Sequence, residues 1–388
     1  MHHNTLFRFL AAAAAAATAA LLLSSVSAPA QPQQPQAQSS PVSPLPDNIH
    51  IGDRKEGHVQ GIAVDEAKGF IYLSFTTNFI KADLQGNIVG TISHIQGHLG
   101  AMTLGPDGRV YASLECKDDA IGRGIAASLG QENLGHDLCT FYVAIIDVDS
   151  IDREGMDPER DGVMTTVCIR DAVRDYRSGA FGCSGIDGIT FAPPIGKKTA
   201  RNQLLYIAYG IYGDTSRTDN DHQVILCYDT SCWKKKYEKG VVFGTLPTGG
   251  PEKPLRKYLV RTGNTEWGVQ NMAYDRHTDR IYMAVYKGRK SGFPNYSLFA
   301  VDRAQKPFRA KAEGLEGRHS QLSLSDAGLR DPATGIRGWN FKWGSTGMCP
   351  MGDGRWYISH NGRDPVTGLQ YCNARLHIWT GEDDGPFR

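Results

Sequence analysis

The chain has 388 residues, and 42 Lys and Arg against 41 Asp and Glu give it a formal net charge of +1 at pH 7. Acidic and basic residues are mixed throughout, so no basic stripe indicates a nucleic acid or an anionic membrane as partner. After the first apolar segment, no stretch approaches the roughly 20 apolar residues of a membrane span.

The N-terminus has the features of a secretory signal peptide. Arg8 precedes an apolar run over residues 9–23, and residues 28–30 (Ala-Pro-Ala) form a small-residue cleavage site. We expect residues 1–30 to be removed and the mature protein to be secreted or periplasmic. Residues 31–46 are mostly Gln, Pro, Ser and Ala, which cannot bury enough apolar surface to become ordered, so we predict a disordered leader.

From residue 47 onward, one short phrase recurs five times, and it predicts the architecture. The copies are His58-Val-Gln-Gly-Ile-Ala-Val64, His98-Leu-Gly-Ala-Met-Thr-Leu104, Gly185-Ile-Asp-Gly-Ile-Thr-Phe191, Gly268-Val-Gln-Asn-Met-Ala-Tyr274 and Gly344-Ser-Thr-Gly-Met-Cys-Pro350. Each copy is followed by short strands with Gly, Asn or Asp at the turns, which is typical of a propeller blade. We therefore predict an all-β fold with one domain, a five-bladed β-propeller over residues 47–388. Six or seven blades are the alternative, because a long stretch separates the second and third copies.

Two further expectations concern the outer strands of blades. The last blade lacks an outer strand, and residues 48–51 belong to no other blade, so we expect this segment to pair with the last blade and close the ring. In the fourth blade, the outer strand is predicted near Phe308.

The eight cysteines are an even number in a chain that we expect to be exported, so disulfides are the default prediction. Zinc is disfavoured, since no Cys-x-x-Cys pair occurs. The predicted pairs are Cys116 with Cys139, Cys168 with Cys183, Cys227 with Cys232, and Cys349 with Cys372.

Equivalent positions of the five phrases should form rings around the channel, because the innermost strands of a propeller all start at the same rim. Alternate residues of a strand share a face, so the first and third positions should both face the channel. The third position holds Gln60, Gly100, Asp187, Gln270 and Thr346. This ring is either a polar plug around one structural cation, with calcium at Gln60, Asp187 and Gln270, or a surface that faces the substrate.

The second strand of each blade ends at the same rim, where the sequence gathers cations and aromatic residues. Four cations could neutralise a carboxylate, sulfate or phosphate, two Trp side chains could stack on a sugar, and an Asn could donate hydrogen bonds. We predict an acidic carbohydrate or other small anionic ligand as partner and a monomeric protein. The predicted substrate-binding residues are Lys117, Lys287, Arg289, Arg363, Trp267, Trp343 and Asn361.

The same rim carries groups that transfer protons. Histidine exchanges a proton near neutral pH, and a tyrosine beside a cation can protonate a leaving oxygen. These groups are the ones needed for β-elimination from a uronate-containing saccharide, so an exported polysaccharide lyase is the leading hypothesis. Its predicted catalytic residues are His58, His98, Tyr209, Tyr212 and His360.

Two other functions fit the same rim. A glycoside hydrolase needs two opposed carboxylates, which Glu115, Asp187 and Asp214 could supply. A propeller that only binds a glycan or a protein needs no such pair, and a shallow pocket would distinguish it from an enzyme.

The phrase His58-Val-Gln-Gly-Ile-Ala resembles inner-blade segments of exported five-bladed propellers, among them the plant-type glutaminyl cyclases. The resemblance covers a few residues per blade and implies the propeller fold. That family is expected to have a glutamate in the second phrase, where this chain has His98-Leu-Gly100, so the cyclase activity is not transferred. Several glycosidases and nucleotidases share the five-bladed scaffold, a similarity of fold that does not decide function.

Overall fold

The computed structural model describes residues 44–55, 57–132, 135–180, 183–211 and 213–388. The predicted signal peptide and residues 31–43 of the predicted leader lie outside these ranges. Residues Leu45–Arg388 form one compact unit, and Leu45 packs in the core with Ile49 and Ile51. In the described part of the chain, no helix has the length and apolar character that crossing a membrane requires.

The described residues form five sheets that follow the order of the five phrases, together with a separate two-stranded ribbon. After an opening strand, β1 (Asn48–Arg54), the first sheet contains β2 (Val59–Asp65), β3 (Phe70–Phe75), β4 (Asn78–Asp83) and β5 (Ile88–Ile92). The second contains β6 (His98–Leu104), β7 (Val110–Cys116), β8 (Thr140–Ile146) and β9 (Met164–Cys168). The third contains β10 (Cys183–Ala192), β11 (Leu204–Ile211) and β12 (His222–Tyr228), followed by β13 (Lys239–Gly240) on the edge of the second sheet and β14 (Arg256–Arg261) in the third.

The fourth and fifth sheets complete the set. The fourth contains β15 (Thr265–Asp275), β16 (Arg280–Lys287) and β17 (Leu298–Asp302). Four short strands follow, β18 (Phe308–Ala310), β19 (His319–Leu322), β20 (Leu329–Arg330) and β21 (Arg337–Gly338). The fifth contains β22 (Met348–Pro350), β23 (Arg355–Arg363) and β24 (Gln370–Ile378). Three helices lie in the connections, α1 (Ala120–Ser128), α2 (Arg170–Ser178) and α3 (Trp233–Lys236).

The five inner strands form a closed ring. Each phrase begins or contributes to the first strand of its sheet, and these strands touch in succession: β2 with β6, β6 with β10, β10 with β15, β15 with β22, and β22 with β2. The molecule is therefore a five-bladed β-propeller, which confirms the predicted fold and leaves no place for the six- or seven-bladed alternative.

The N-terminal strand closes the ring as predicted. β1 pairs antiparallel with β24, with Asn48 opposite Arg375 and His50 opposite Asn373. The last blade therefore has the order β22-β23-β24-β1, and its outermost strand comes from the other end of the chain.

The prediction for the fourth blade is wrong at its outer edge. β18, which contains Phe308, pairs with β19, and β19 adds to the third blade beside β14. The place next to β17 is taken instead by Trp339, which forms an isolated antiparallel bridge with Leu298 and buries its indole. Burial of this large apolar side chain stabilises the alternative edge more than the exposed Phe308 could.

The fourth position is Gly or Ala in four of the five phrases because the inner strands approach each other closely. A Cβ atom on Gly61 would lie 2.8 Å from the Cα of Ala101 in the next blade, a separation that real Cβ atoms do not show. The hydroxyl of Ser74 reaches across the same interface and donates to the carbonyl of Gly100 at 2.6 Å. Part of the repeated phrase is therefore a packing requirement of neighbouring blades.

Three predicted disulfides, Cys116–Cys139, Cys227–Cys232 and Cys349–Cys372, are absent, because the seven cysteines with described side chains are free thiols. The side chain of Cys183, the predicted partner of Cys168, lies outside the described residues. Cys116 lies 3.8 Å from the carbonyl oxygen of Gln96, and Cys139 accepts a hydrogen bond from the N–H of Asp118 at 3.0 Å. Cys168 contacts the hydroxyl of Thr140 at 3.7 Å. The predicted bridges paired sequence neighbours, whereas the strands direct these thiols toward other partners.

Candidate active site

A cluster of polar side chains occupies the end of the channel where the inner strands begin. His98 is the first residue of β6 and lies opposite Glu115 near the end of β7, because the two strands are antiparallel neighbours. Asp187 projects from β10 of the next blade. One ligand atom from each of His98, Glu115 and Asp187 lies within 4.8 Å of those of the other two.

The carboxylate of Glu115 is the buried centre of this cluster. Its side chain has 0% of its surface exposed, and its Oε2 lies 2.6 Å from Nζ of Lys117. It also accepts a hydrogen bond from the N–H of Ile186. Burial raises the pKa of Glu115, and the Lys117 ammonium and this hydrogen bond oppose that rise.

A glycine makes room for this carboxylate. A Cβ atom on Gly185 would collide with Oε1 of Glu115, and Gly185 has a φ of 131°, which an L side chain rarely adopts. The first position of the third phrase is therefore a glycine for steric reasons, where the first two phrases have histidine.

Lys117 bridges the cluster to helix α1. Its ammonium lies 3.4 Å from Asp119, and Asp119 caps the helix by accepting from the N–H of Gly122 at 2.8 Å. Burial works against a charged lysine here, but the carboxylates of Glu115, Asp187 and Asp119 raise the pKa of Lys117 above its ordinary value. The ammonium therefore stays charged, and 13% of its side chain remains exposed.

Asp187 differs from Glu115 in its surroundings. It is half-buried, and its Oδ2 accepts one hydrogen bond, from Nε2 of Gln270 at 3.3 Å. A Cβ atom on Gly100 would lie 2.6 Å from Oδ1, so the glycine in the second phrase leaves space for this carboxyl. Burial and then the charge of Glu115 raise the pKa of Asp187 well above its ordinary value, despite the nearby ammonium of Lys117. Asp187 is thus the proton-holding carboxyl of the two.

Both histidines of the cluster are neutral. Burial, followed by the neighbouring Lys117 ammonium and the His58 imidazole, lowers the pKa of His98 to about 3. Burial also lowers the pKa of His58, whose Nε2 lies 3.1 Å from Nε2 of Gln60. A neutral imidazole keeps one nitrogen lone pair available to accept a proton.

A pocket of about 410 Å³ lies beside the cluster, between the fourth and fifth blades. We call it the Trp343 pocket, and the lining residues used below are Tyr286, Lys287, Asn340, Lys342, Trp343 and Ser345. Nζ of Lys287 donates to Oδ1 of Asn340 at 2.6 Å, and Nζ of Lys342 lies 4.5 Å from the centre of the Trp343 ring.

Tyr286 connects the pocket to the cluster. Burial raises the pKa of the Tyr286 phenol; its hydrogen bond to Ser345 opposes that rise, and the nearby Asp187 carboxyl adds to it. With 37% of its surface exposed, Tyr286 faces the pocket while remaining within electrostatic range of Asp187.

A stack of rings supports Trp343 from behind. The centroid of the His360 ring lies 4.1 Å from that of Trp343, and Nε2 of His360 lies 2.9 Å from Nε2 of His377. Burial, followed by the charges of His377, Arg375 and Lys342, lowers the pKa of His360 to about 4. His360, predicted as catalytic, is placed behind the aromatic side chain that lines the pocket.

One predicted catalytic tyrosine, Tyr209, does not join the cluster. Tyr209 is fully buried, and its hydroxyl donates to Asp175 on helix α2, which also binds Lys257. We therefore remove Tyr209 from the candidate catalytic residues. Tyr212 lies outside the described residues.

Several predicted binding residues are engaged elsewhere on the rim. Arg289 forms an ion pair with Glu266 at 2.7 Å, and Arg363 donates to the carbonyl of Gly368 at 2.9 Å. Trp267 is 50% exposed, and its carbonyl accepts from Gln270.

Two further predicted residues make structural contacts. Asn361 accepts from the hydroxyl of Thr346 at 3.3 Å. Asp214, part of the hydrolase alternative, is exposed and accepts from the backbone N–H of Ser216 at 2.8 Å, so it is not part of the cluster around Glu115 and Asp187.

The donor set does not fit the predicted calcium ion. Calcium takes six to eight oxygen ligands, whereas Gln270 presents an amide N–H to Asp187 and Gln60 places its amide nitrogen beside His58. The ammonium of Lys117 already neutralises Glu115. We therefore derive no step through a metal at Gln60, Asp187 and Gln270.

Sequence reasoning missed two residues of this region: Lys342 and His377. A signal existed for Lys342, because the residues before the fourth and fifth phrases align as Glu266-Trp267-Gly268 and Lys342-Trp343-Gly344. Extending the comparison of phrases two residues upstream would have selected it. His377 had no such signal, since its contact with His360 depends on the pairing of β23 with β24.

The opposite end of the channel holds a second cavity of about 330 Å³. All five inner strands contribute to it, and among the described residues that line it there is no charged side chain. Its walls include Val64, Leu104, Phe191, Met272 and Met348.

No family model and no curated protein matches the chain. Among solved structures, a glucose dehydrogenase is 12% identical, with 84% of this chain and 99% of that one covered and a TM-score of 0.37. The soluble aldose sugar dehydrogenase from Escherichia coli is 10% identical over 85% and 98% of the two chains, with a TM-score of 0.35. The Dos1 propeller is 10% identical over 88% and 84%, with a TM-score of 0.32. At such low similarity we infer nothing about activity from these proteins.

Proposed function

We propose that this protein is an exported enzyme that cleaves an acidic, uronate-containing saccharide by β-elimination at the polar end of the channel. One observation carries the proposal: His98, Asp187 and Lys117 converge beside the buried Glu115, where burial and neighbouring charges shift their pKa values apart. His98 is a neutral base, Asp187 holds a proton, and Lys117 is a charged ammonium. Acid–base catalysis requires such a separation.

The chemical step needs no co-reactant. The free nitrogen of His98 takes the proton from the carbon next to the uronate carboxylate, and the electrons of the C–H bond form a carbon–carbon double bond. The bond to the leaving oxygen breaks, and Asp187 donates its proton to that oxygen. The ammonium of Lys117 stabilises the negative charge that develops on the carboxylate.

The burial of Glu115 makes a hydrolase less suitable. Glu115 and Asp187 lie close enough for a retaining glycosidase, in which the two carboxyl groups are about 5–5.5 Å apart. In that mechanism one carboxylate must attack the sugar, but Glu115 has no exposed side-chain surface and binds Lys117. Its role in our proposal is to hold that lysine in place.

The test is incubation of the purified protein with a panel of uronate-containing polysaccharides, followed by ultraviolet absorbance of the unsaturated product. We expect activity in the unmodified protein and a loss of about 10²–10⁴-fold in His98→Gln and in Asp187→Asn. The control is Lys306→Met, which changes an exposed lysine away from the cluster.

The outcomes separate the three hypotheses. New reducing ends without absorbance would identify a hydrolase instead. No product from any polysaccharide in the panel would contradict catalysis and leave the binding role. Absorbance that survives both substitutions would show that the chemistry takes place elsewhere.

A further inference from the structure

The Trp343 pocket carries two ammonium groups without a carboxylate partner. Within the described ranges, neither Lys287 nor Lys342 has a carboxylate oxygen within ion-pairing distance. Lys287 contacts the neutral amide of Asn340, and Lys342 lies over the Trp343 ring. Most other cations of this rim are paired, as Arg289 is with Glu266 and Lys117 with Glu115. Two unpaired cations in one concave pocket indicate an anionic ligand.

An aromatic wall adds a second recognition element. Trp343 lines the pocket, with His360 stacked on its ring and Nζ of Lys342 over the ring, and the stack of Trp343, His360 and His377 restricts the orientation of the indole. A rigid indole beside hydrogen-bonding groups suits a sugar ring, because the apolar face of the sugar packs on the indole while its hydroxyls remain bonded. Asn340 and Ser345 supply such groups.

The position of the pocket relates it to the acid–base cluster. Gln270, which donates to Asp187, lies on β15, and β15 pairs with β16, whose end carries Tyr286 in the lining of the pocket. A saccharide whose reacting unit lies at Asp187 would therefore extend past Tyr286 into the pocket. The pocket volume of about 410 Å³ accommodates one sugar unit with its substituent.

We propose that the Trp343 pocket is a saccharide subsite that selects a unit bearing an anionic oxygen substituent, a carboxylate or a sulfate ester, next to the unit that reacts. The exposed Lys342 side chain leaves the indole to bind the anion together with Lys287, and the sugar ring packs on the face of Trp343 that it vacates. His360 and His377 are positioning residues that hold Trp343. The subsite rests on the proposed function for its place in the reaction, but its ligand binding can be measured without turnover.

The experiment measures binding to the Asp187→Asn protein, which prevents turnover, by calorimetry at low and high salt. The probes are a galacturonate trisaccharide, a sulfated galactose trisaccharide and the neutral galactose trisaccharide. We expect at least one anionic probe to bind about tenfold more tightly than the neutral probe, and added salt to reduce that advantage. The anionic probe that binds better shows whether the substituent is a carboxylate or a sulfate.

The variants locate the binding. Lys287→Met with Lys342→Met should weaken the anionic probe about tenfold or more and leave the neutral probe unchanged, whereas the matched control Lys306→Met changes neither. Trp343→Ala should weaken all the probes that bind, and His360→Ala should do so in part while the thermal unfolding of the protein is retained.

Equal affinity for all three probes, or an anionic preference that survives loss of both lysines, would overturn the subsite. So would no binding of any probe. Anionic binding without β-elimination by the unmodified protein would refute the proposed function and leave the subsite. Elimination that is unaffected by the two lysine substitutions would refute the subsite and leave the proposed function.

Discussion

The two ends of the central channel are formed by the same five strands, yet they differ in almost every chemical respect. Where the strands begin, two carboxyl groups and an imidazole lie within a few ångströms of one another, and an ammonium pairs with one of the carboxylates. Where they end, a cavity of about 330 Å³ is lined by side chains such as Val64, Phe191 and Met272. Repetition of one phrase therefore supplies a scaffold with two unlike ends, and only one is equipped for proton transfer.

The connections between strands explain this difference. At the apolar end, inner and second strands are joined mostly by tight turns, such as the one in which the N–H of Gly69 bonds the carbonyl of Asp65. At the polar end the chain leaves β7 through Lys117 and Asp119 into helix α1, a long excursion before β8. Longer connections bring additional polar side chains over the channel.

The largest loss of stability should come from removing the ammonium of Lys117 at the polar end. Lys117→Met leaves the carboxylate of Glu115 buried without its ion pair, and we expect the free energy of unfolding to fall by about 3–5 kcal/mol. Urea denaturation monitored by tryptophan fluorescence measures the change.

A double variant controls for the lost side chain. Lys117→Met combined with Glu115→Gln removes both charges and should recover much of the lost stability. If the single variant unfolds at the same urea concentration as the unmodified protein, the pair does not stabilise the polar end.

A smaller loss is expected at the apolar end. Met272 is buried and lines the second cavity, so Met272→Ala removes packed methylene groups. We expect a loss of about 2 kcal/mol, the low end of such substitutions, because the adjoining cavity already leaves one side of Met272 unpacked. Activity should be unchanged, and an equal loss of activity and stability would mean that the two ends do not act separately.

The smallest effect concerns pH. The pKa of His98 is about 3 in the folded protein and near 6.5 when unfolded, so the folded state binds fewer protons in between. The free energy of unfolding therefore keeps its full value above pH 6.5 and decreases as the pH falls from 6.5 toward 3, where the unfolded state takes up a proton that the folded state does not. His98→Gln should reduce that acid-induced loss by on the order of 1–2 kcal/mol, since solvent reaches part of the ring.

Denaturation curves at several pH values measure this difference. The apolar-end variant Met272→Ala serves as the comparison, because its stability should follow pH in parallel with the unmodified protein. An unchanged acid profile in His98→Gln would show that His98 is not held neutral by the polar end.

Much of the architecture could be predicted from the phrases alone. Their repetition predicted the five inner strands, and the orphan segment at residues 48–51 predicted the closing strand. Comparison by position also placed His58, His98 and Asp187 at one end of the channel. These predictions succeeded because inner strands of a propeller are equivalent by symmetry, so position in the phrase determines position in space.

The second strands were less predictable. They lie one layer away from the channel, so a residue such as Tyr209 packs between blades, while Glu115 and Tyr286 at strand ends approach the channel. Loop residues such as Arg363 follow local geometry that no repeat encodes. The three disulfide predictions that fall on described side chains failed for a related reason, since proximity in sequence does not decide which way a strand directs a thiol.

The pairing of β1 with β24 has a consequence for how the molecule is assembled. Asn48 meets Arg375, more than three hundred residues later, so the earliest part of the propeller to be synthesised must wait for almost the last before it gains its partner. Closing so long a loop carries a large entropic cost that only the completed circle offsets. A chain shortened at either terminus should consequently form an open array of blades with an unpaired, aggregation-prone strand edge rather than a slightly smaller ring.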